Sequence, residues 1–495
     1  MPSLWRDGRA SIAPDELTDD RCDDVVIGAG ITGLTTALLL ARAGRDVVVL
    51  EARDVGSVAT GNTTAKVSLL QGTKYSTLLR RHPVDVAAAY LDANRAGQDW
   101  LLEYCRAQGI AFQQRDAVTY APDTDRGRRA AVREHEAATA VGLATRWSDD
   151  LPVPFPHAGG VVLADQAQFD PMDLVHGLVA DVRAAGGRVV TGARVQHVSV
   201  IGRPTVRWEG GRMSSDTIVL ATGAPTLDRA LYFARLEPQR SYALAFDHPD
   251  PPELMLLAAH GSSRSLRDAP GEGGARRLLV GGEGHTVGRA RHEQDHLDRL
   301  REWTAEHFPQ AVETHHWSAQ DYTSTDGLPR VGLLPRGRGR VHMATGFAKW
   351  GMTNGAAAAL AVSGQILGEP VPWAQRLYRG RGRLPAAVGM ARINAGVAAA
   401  GSLGLGRAAL KPLPKQVPEG EGAVGREGVL PTGRSTIDGR TCTVTAVCTH
   451  LGGVLEWNDA DQSYDCPLHG SRFAPTGEVL EGPATRALAR RDDHS

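Results

Sequence analysis

Cysteine is scarce in this chain: Cys22, Cys105, Cys442, Cys448 and Cys466 are the only five in 495 residues, too few and too scattered for a disulfide framework. Charge of one sign is not in excess either. Lys and Arg total 55, Asp and Glu 56, and the formal net charge is -1, so no global field recruits nucleic acid or an anionic membrane. Long apolar runs are missing too. The best stretch, Ala386 to Leu410, is broken by Arg392, Asn394 and Arg407 and reads as a packed helix and linker, not a membrane span. The first 23 residues hold acids and no apolar core of the kind an export signal needs. The expectation is a cytoplasmic protein of roughly two to four domains whose default partners are small molecules and other proteins.

Against these absences one stretch stands out. Asp24-Val25-Val26-Ile27 is an apolar strand, Gly28-x-Gly30-x-x-Gly33 a turn, an apolar helix runs to Gly44, and Val47-Val48-Val49-Leu50 ends on Glu51. Gly28 permits the tight turn, Gly30 lets the backbone approach a pyrophosphate, and Gly33 lets helix and strand close. The helix start at Ile31 and Thr32 offers free N–H groups and a positive dipole to phosphates. Glu51, followed by Ala52, is placed to accept from ribose hydroxyls. With 57 glycines in the chain, a bare Gly-x-Gly-x-x-Gly is weak, but here strand, helix, glycine stop, strand and acid fall in register. An acid where a 2'-phosphate would want arginine leaves FAD or NAD as the ligand.

Downstream, small and hydroxyl side chains crowd Ala59 to Val67. Such a loop suits a backbone lying against a flat or phosphorylated ligand, or a polar turn opening a helix at Thr63. Helical spacing from Pro83 to Gln108 and a charged helix from Asp125 to Val141 read as packing. Phe112 to Gln114 and Ala117 to Tyr120 read as two short strands. Asp170 caps a helix with Pro171 in its first turn. Strands follow at Arg188 to Thr191, Ala193 to Val200 and Thr205 to Trp208, then a buried strand from Asp216 that ends in the turn Thr222-Gly223. Alternating apolar runs from Pro238 to Gln320, with an amphipathic helix over Arg291 to Phe308, predict a half-exposed antiparallel sheet. The chain returns through Val341 to Gly346 into a glycine-bracketed helix start, Gly351-Met352-Thr353, whose dipole can face negative charge on a ligand ring.

Beyond Lys411-Pro412-Leu413-Pro414-Lys415 the texture is short strands and turns. Within it stand Cys448-x-His450 and Cys466-x-x-His469, with fifteen residues between the pairs. Two thiolates on one iron and two imidazoles on the other make a Rieske [2Fe-2S] cluster. Tetrahedral zinc is the rival, since it also takes two of each. Zinc fingers, however, pair Cys with Cys and His with His, whereas here each loop contributes one of each.

The order of these features resembles FAD-dependent oxidoreductases of the D-amino-acid oxidase type, which include glycine and sarcosine oxidases, over roughly residues 20 to 370. The tail, roughly 415 to 485, resembles Rieske ferredoxin domains. The resemblance implies an α/β (α+β) protein: a Rossmann-like FAD-binding domain with an inserted antiparallel-sheet substrate domain, followed by a small all-β Rieske domain. The implied oxidoreductase part is 1–380, with FAD-binding segments at about 20–82, 156–237 and 321–370 and substrate-domain segments at about 83–155 and 238–320. A helical segment and linker at 381–414 and the Rieske domain at 415–495 complete the chain.

The resemblance selects FAD over NAD. It puts Gly28, Gly30, Gly33 and Glu51 on the ADP half, the Val195 backbone near the adenine, and Thr63, Thr64 and Lys66 near the flavin. Gly346, Gly351, Met352 and Thr353 fall at the pyrimidine end, with Thr222 and Gly223 also on the cofactor. The 60–66 loop has neither His nor Cys, so the FAD is expected to be noncovalent. The implied substrate is an amine or amino acid, with Lys66, Lys349 and Arg267 as candidate catalytic residues. Arg240, Tyr242 and Tyr322 are further candidates for holding substrate, and His285 and His342 for acid–base work. Flavin and cluster together imply electron export to a redox protein partner, or a flavin–cluster relay without small-molecule turnover. High-potential Rieske proteins carry an extra cysteine in each loop, where Gly453 and Leu468 stand, and a tyrosine where Phe473 stands. Ser471 is retained. Fewer hydrogen bonds to sulfur predict a potential toward the low end of the roughly -150 to +300 mV Rieske range.

Overall fold

The computed structural model describes residues 2–226, 232–378, 390–401, 411–428 and 430–491. At its centre is a six-stranded sheet in the order Arg330–Leu333, Val341–Thr345, Thr217–Leu220, Asp24–Ile27, Val47–Leu50, Arg188–Val190. All neighbours are parallel except the edge strand Arg330–Leu333. The two central valine-rich strands have every residue buried, as a parallel sheet covered on both faces requires. Alternation decides which cover each side chain meets. Val26, Val49 and Val219 pack with the helices Ile31–Arg42 and Pro171–Ala184. Val25, Ile27, Val48 and Leu220 pack with a three-stranded antiparallel sheet spanning Val195–Ser199, Thr205–Trp208 and Gly211–Ser214.

The second layer is a nine-stranded sheet. Its antiparallel core joins Val312–Ser324, Leu236–Asp247, Arg276–Thr286, Ser265–Pro270 and Leu254–Ala258. A parallel pairing of Leu254–Ala258 with Phe112–Pro122 extends it. The strand His157–Phe169 follows, so the expected nucleotide segment starting near 156 in fact opens with a strand of the large sheet and enters the nucleotide half only at Pro171. The two short strands expected around 112–120 are one strand, Phe112–Pro122, with a bulge between Arg115 and Ala117. No helix opens at Thr63; the chain enters the short strand Lys66–Val67.

Helix Val84–Gln108 lies against Gly351–Leu367 so closely that a Cβ on Gly97 would collide with the Thr353 carbonyl. That contact fastens the substrate-side helix to the flavin-side helix. The C-terminal domain stacks a three-stranded sheet, Gly422–Glu427, Leu430–Ile437 and Arg440–Thr445, beside a four-stranded one over residues 456–481. Of the helix and linker expected between Ala386 and Leu410, only 390–401 lies among the described residues, and it is helical. Among the described residues no helix is long and apolar enough to cross a membrane.

Candidate active site and cluster centre

A cavity of about 630 Å³ opens where the C-terminal ends of the parallel strands meet the large sheet. Gly28, Gly30, Ile31, Thr32, Glu51 and Ala52 line one end. The local geometry fits a dinucleotide cradle. A Cβ on Gly28 would sit 2.5 Å from the Ala221 carbonyl, and one on Gly30 would sit 2.9 Å from Thr60 Oγ1. Gly33 does not line the cavity. It packs on the turn, where a Cβ would run into the Gly28 carbonyl. Glu51 braces the same turn by accepting from Ala29 N (2.8 Å) and Arg53 N (3.0 Å).

The 62–65 loop is shaped by three side chains that bond its carbonyls. Trp317 Nε1 donates to Asn62 O (2.8 Å), Trp5 Nε1 to Thr63 O (2.7 Å) and Arg267 Nη1 to Thr64 O (2.6 Å). The loop that results places Thr63, Thr64 and Lys66 on the cavity, opposite Gly346, Gly351 and Met352. Thr353 lies one step behind, donating to Asn94 Oδ1 at 2.6 Å. Val195, Thr222 and Gly223 complete the lining expected from the sequence.

Arg267, expected among the catalytic residues, is buried behind the loop and does not line the cavity. Its guanidinium sits on backbone carbonyls and over the Trp5 ring (5.2 Å), and burial pulls its pKa down to about 9. Arg240, expected to hold substrate, instead pairs with Asp461 at 2.6 Å across the domain junction. His285 stacks on His296 and Tyr242, outside the lining. His342 is buried in the strand Val341–Thr345, and burial lowers it to about 4.

Four of the expected groups, Lys66, Lys349, Tyr242 and Tyr322, do face the cavity, joined there by Asp321 and Lys74, which the sequence did not single out. Asp321 is half-buried; its carboxylate accepts from Tyr322 N (2.6 Å) and from the backbone N of Lys349. Burial raises its pKa, opposed by those bonds and by the charges of Lys349 and Lys74. Lys349 is itself held at φ 71 and its pKa is lowered by burial. Lys74, on the short helix Lys74–Leu79, donates to Gly327 O at 2.6 Å and is lowered to about 8 by burial. Lys66 donates to Leu256 O (2.7 Å) and Ser265 Oγ (2.6 Å), and burial holds it well below the ordinary lysine value. The cavity therefore presents Lys349 and Lys74 beside the Asp321 carboxylate, with the buried Lys66 amino group elsewhere on its lining. Lys74 has no motif around it, and a bare lysine gives no signal in a single sequence.

The four cluster residues come together at the tips of two loops. Gly452 N bonds Cys448 O (2.9 Å), and Gly470 N bonds Cys466 O (3.0 Å), closing both turns. Backbone amides of His450 and Leu451 are directed at the Cys448 sulfur, and those of Leu468 and His469 at the Cys466 sulfur. The His450 and His469 rings lie 5.3 Å apart, and His469 Nδ1 is buried without a hydrogen-bond partner. Two thiols on one side and two imidazoles on the other are what a two-iron cluster needs. A Cβ on Gly453 would touch Leu468, so the two positions that would carry the extra cysteines are neighbours.

This domain is docked on the rim of the cavity. Asp461 receives Arg240 (2.6 Å), Ser318 Oγ (2.7 Å) and Arg472 (3.3 Å). Burial alone would raise its pKa; the two guanidinium groups hold it well below the carboxylate range. Gln320 donates to Gly470 O (2.8 Å) and Arg289 to Pro467 O (3.0 Å). Phe233 stands edge-on to both histidines, 5.6 Å from His450 and 4.7 Å from His469.

Residues 23–364 match the family described as FAD dependent oxidoreductase. The chain belongs to that family. Residues 408–491 match the Rieske [2Fe-2S] domain, so this oxidoreductase binds FAD in its main domain and a [2Fe-2S] cluster in its C-terminal one. YhfW of Bacillus subtilis (strain 168), whose description names it a Rieske 2Fe-2S iron–sulfur protein, is 32% identical over 481 residues, covering 96% of this chain and 94% of its own. The cytochrome b6-f complex iron–sulfur subunit 1 of Nostoc sp. is 52% identical over 46 residues, 9% of this chain and 26% of its own. Among solved structures, glycine oxidase from Geobacillus kaustophilus superposes with a TM-score of 0.63 at 20% identity, covering 74% of this chain and all (100%) of its own. L-Amino acid deaminase from Proteus myxofaciens gives 0.58 at 16%, covering 77% and 97%. These two likenesses show the shared fold of the oxidoreductase domain.

Proposed function

We propose that this oxidoreductase takes electrons from an amine or amino acid and passes them singly through its Rieske cluster to a redox protein in the cytoplasm. The observation that carries this reading is the docking of the cluster-bearing loops on the rim of the flavin cavity. Bound FAD supplies hydride acceptance and the cluster supplies one-electron transfer. The protein's own residues supply the rest. Lys349 and Lys74 put positive charge where a substrate carboxylate can be received. Asp321 fixes the strained Ala348–Lys349 turn through the Lys349 amide, holding that charge in one place. Burial holds the Lys66 amino group well below the ordinary lysine value on the cavity lining, which suits a group that exchanges a proton near the ring. Cys22, Cys105 and Cys442, which are neither cluster ligands nor disulfide-bonded, support a reducing compartment.

The test is anaerobic stopped-flow mixing of holoprotein with amino acids and secondary amines, followed at the flavin absorbance and by electron paramagnetic resonance of the cluster. Flavin bleaching followed by the reduced-Rieske signal is the expected sequence. If no amine bleaches the flavin while a ferredoxin or its reductase does, the substrate reading fails and a relay replaces it.

A further inference from the structure

The dinucleotide cleft has a wall that comes from the other end of the chain. Leu480, Glu481, Gly482, Ala484 and Thr485 of the Rieske domain line the same cavity as Gly28, Gly30 and Glu51. Two hydrogen bonds to its backbone fasten this segment to the oxidoreductase domain, beside the ion pair of Arg240 with Glu481 at 3.5 Å. Arg194 Nη2 donates to Val479 O at 2.8 Å, and Tyr322 Oη donates to Gly482 O at 3.1 Å. The first anchor belongs to the acid-bearing end of the cleft, because Ala193, next to Arg194, bonds the Glu51 carbonyl at 2.7 Å. The second belongs to the far end, because the Tyr322 ring would lie 3.6 Å from a Cβ on Gly223. The segment therefore runs along the cleft from the Glu51 side to the Gly223 side.

Its own domain holds it equally firmly. Ala484 N donates to Ser471 Oγ at 3.0 Å, and Arg472 pairs with Glu481 at 2.9 Å. Gly482 brings bare backbone to the cavity, and Thr485, half-buried, brings a hydroxyl. Bare backbone beside a small hydroxyl allows close approach to a polar ligand chain.

We propose that residues 480–485 are part of the FAD-binding site: a strap contributed by the Rieske domain that closes the dinucleotide cleft and retains the cofactor. The proposal rests on the FAD assignment alone and stands or falls independently of the substrate and of the electron route. A cofactor held this way leaves only when the strap lifts, so the docked domain sets its release rate.

Hydrogen exchange of the full-length protein, with FAD bound and after its removal with the cluster kept intact, tests this on the parent sequence. Exchange across 478–486 is expected to rise by about ten-fold without FAD while strands Leu430–Ile437 and Arg440–Thr445 stay as they were. Equal exchange in the two states overturns the proposal, as does a uniform rise across the Rieske domain with no excess in the strap. A second measurement uses Thr485→Trp, which intrudes on the cleft. Flavin fluorescence after dilution of the holoprotein should appear about five-fold faster or more, with the cluster resonance unchanged. Release at the parent rate counts against the strap, and if the variant loses its cluster the exchange result on the parent decides.

Discussion

Asp461 concentrates the electrostatics of the domain junction in one side chain. Two guanidinium groups and the Ser318 hydroxyl converge on it, and removing one member of such a buried set strands the others at a cost of ~3–5 kcal/mol. In FAD-replete protein, Asp461→Ala is expected to slow the proposed flavin-to-cluster transfer at least about ten-fold, since 1.4 kcal/mol of lost docking is already a factor of ten. Single-turnover stopped-flow measures it; an unchanged rate would show that Asp461 does not hold the domain. Glu293, next to the junction, behaves oppositely. Burial, then Asp465, Asp459 and Asp461, push its pKa from 4.5 up to about 8. Between those values the folded chain keeps a proton that the unfolded chain has released. Stability should therefore fall as pH rises from about 4.5 to 8 and lack this contribution above it. Glu293→Gln removes the titration, so its Tm at pH 8.5 should exceed the parent's by more than at pH 5.

At the scale of elements, the turn between the first strand and helix tolerates no side chain at Gly33. Gly33→Ala forces the helix off the Gly28 carbonyl, and should cost about 1–3 kcal/mol, as overpacking in packed positions does. Thermal melting together with the FAD content of the purified protein will register it; full FAD content at parental Tm would contradict the geometry. This turn was readable in the sequence because all its constraints are local. The strand–helix–strand register, the Asp170–Pro171 cap and the cysteine–histidine loops are readable for the same reason. Elements assembled from distant partners were not. Arg267 looked like a substrate-handling cation because its acceptor, the Thr64 carbonyl, lies 203 positions away. Arg240 misled equally, with Asp461 221 positions off. The bulge between Arg115 and Ala117 broke the two-residue alternation and split one strand into two. Asp321 and Lys74 gave no periodic or motif signal at all.

For the whole molecule, the expected measurable is the cluster potential. Phe473 is fully buried in the same core as Cys448 and Cys466 and has no hydroxyl to donate to a ligand sulfur. A midpoint toward the low end of the roughly -150 to +300 mV Rieske range follows, and Phe473→Tyr should raise it. Redox titration followed by electron paramagnetic resonance decides both statements, and a parent potential near the top of the range would refute the first.

The central sheet also carries a consequence for biosynthesis. Its strands are gathered from residue 24 to residue 345, and the strand Val341–Thr345 must arrive before the cradle is whole. The residues that line the cleft from the Rieske domain leave the ribosome only afterwards. At ~5–20 residues per second the interval is roughly seven to thirty seconds. During it the nascent chain owns a finished nucleotide cradle that still stands open, and that is the period in which FAD can enter unhindered.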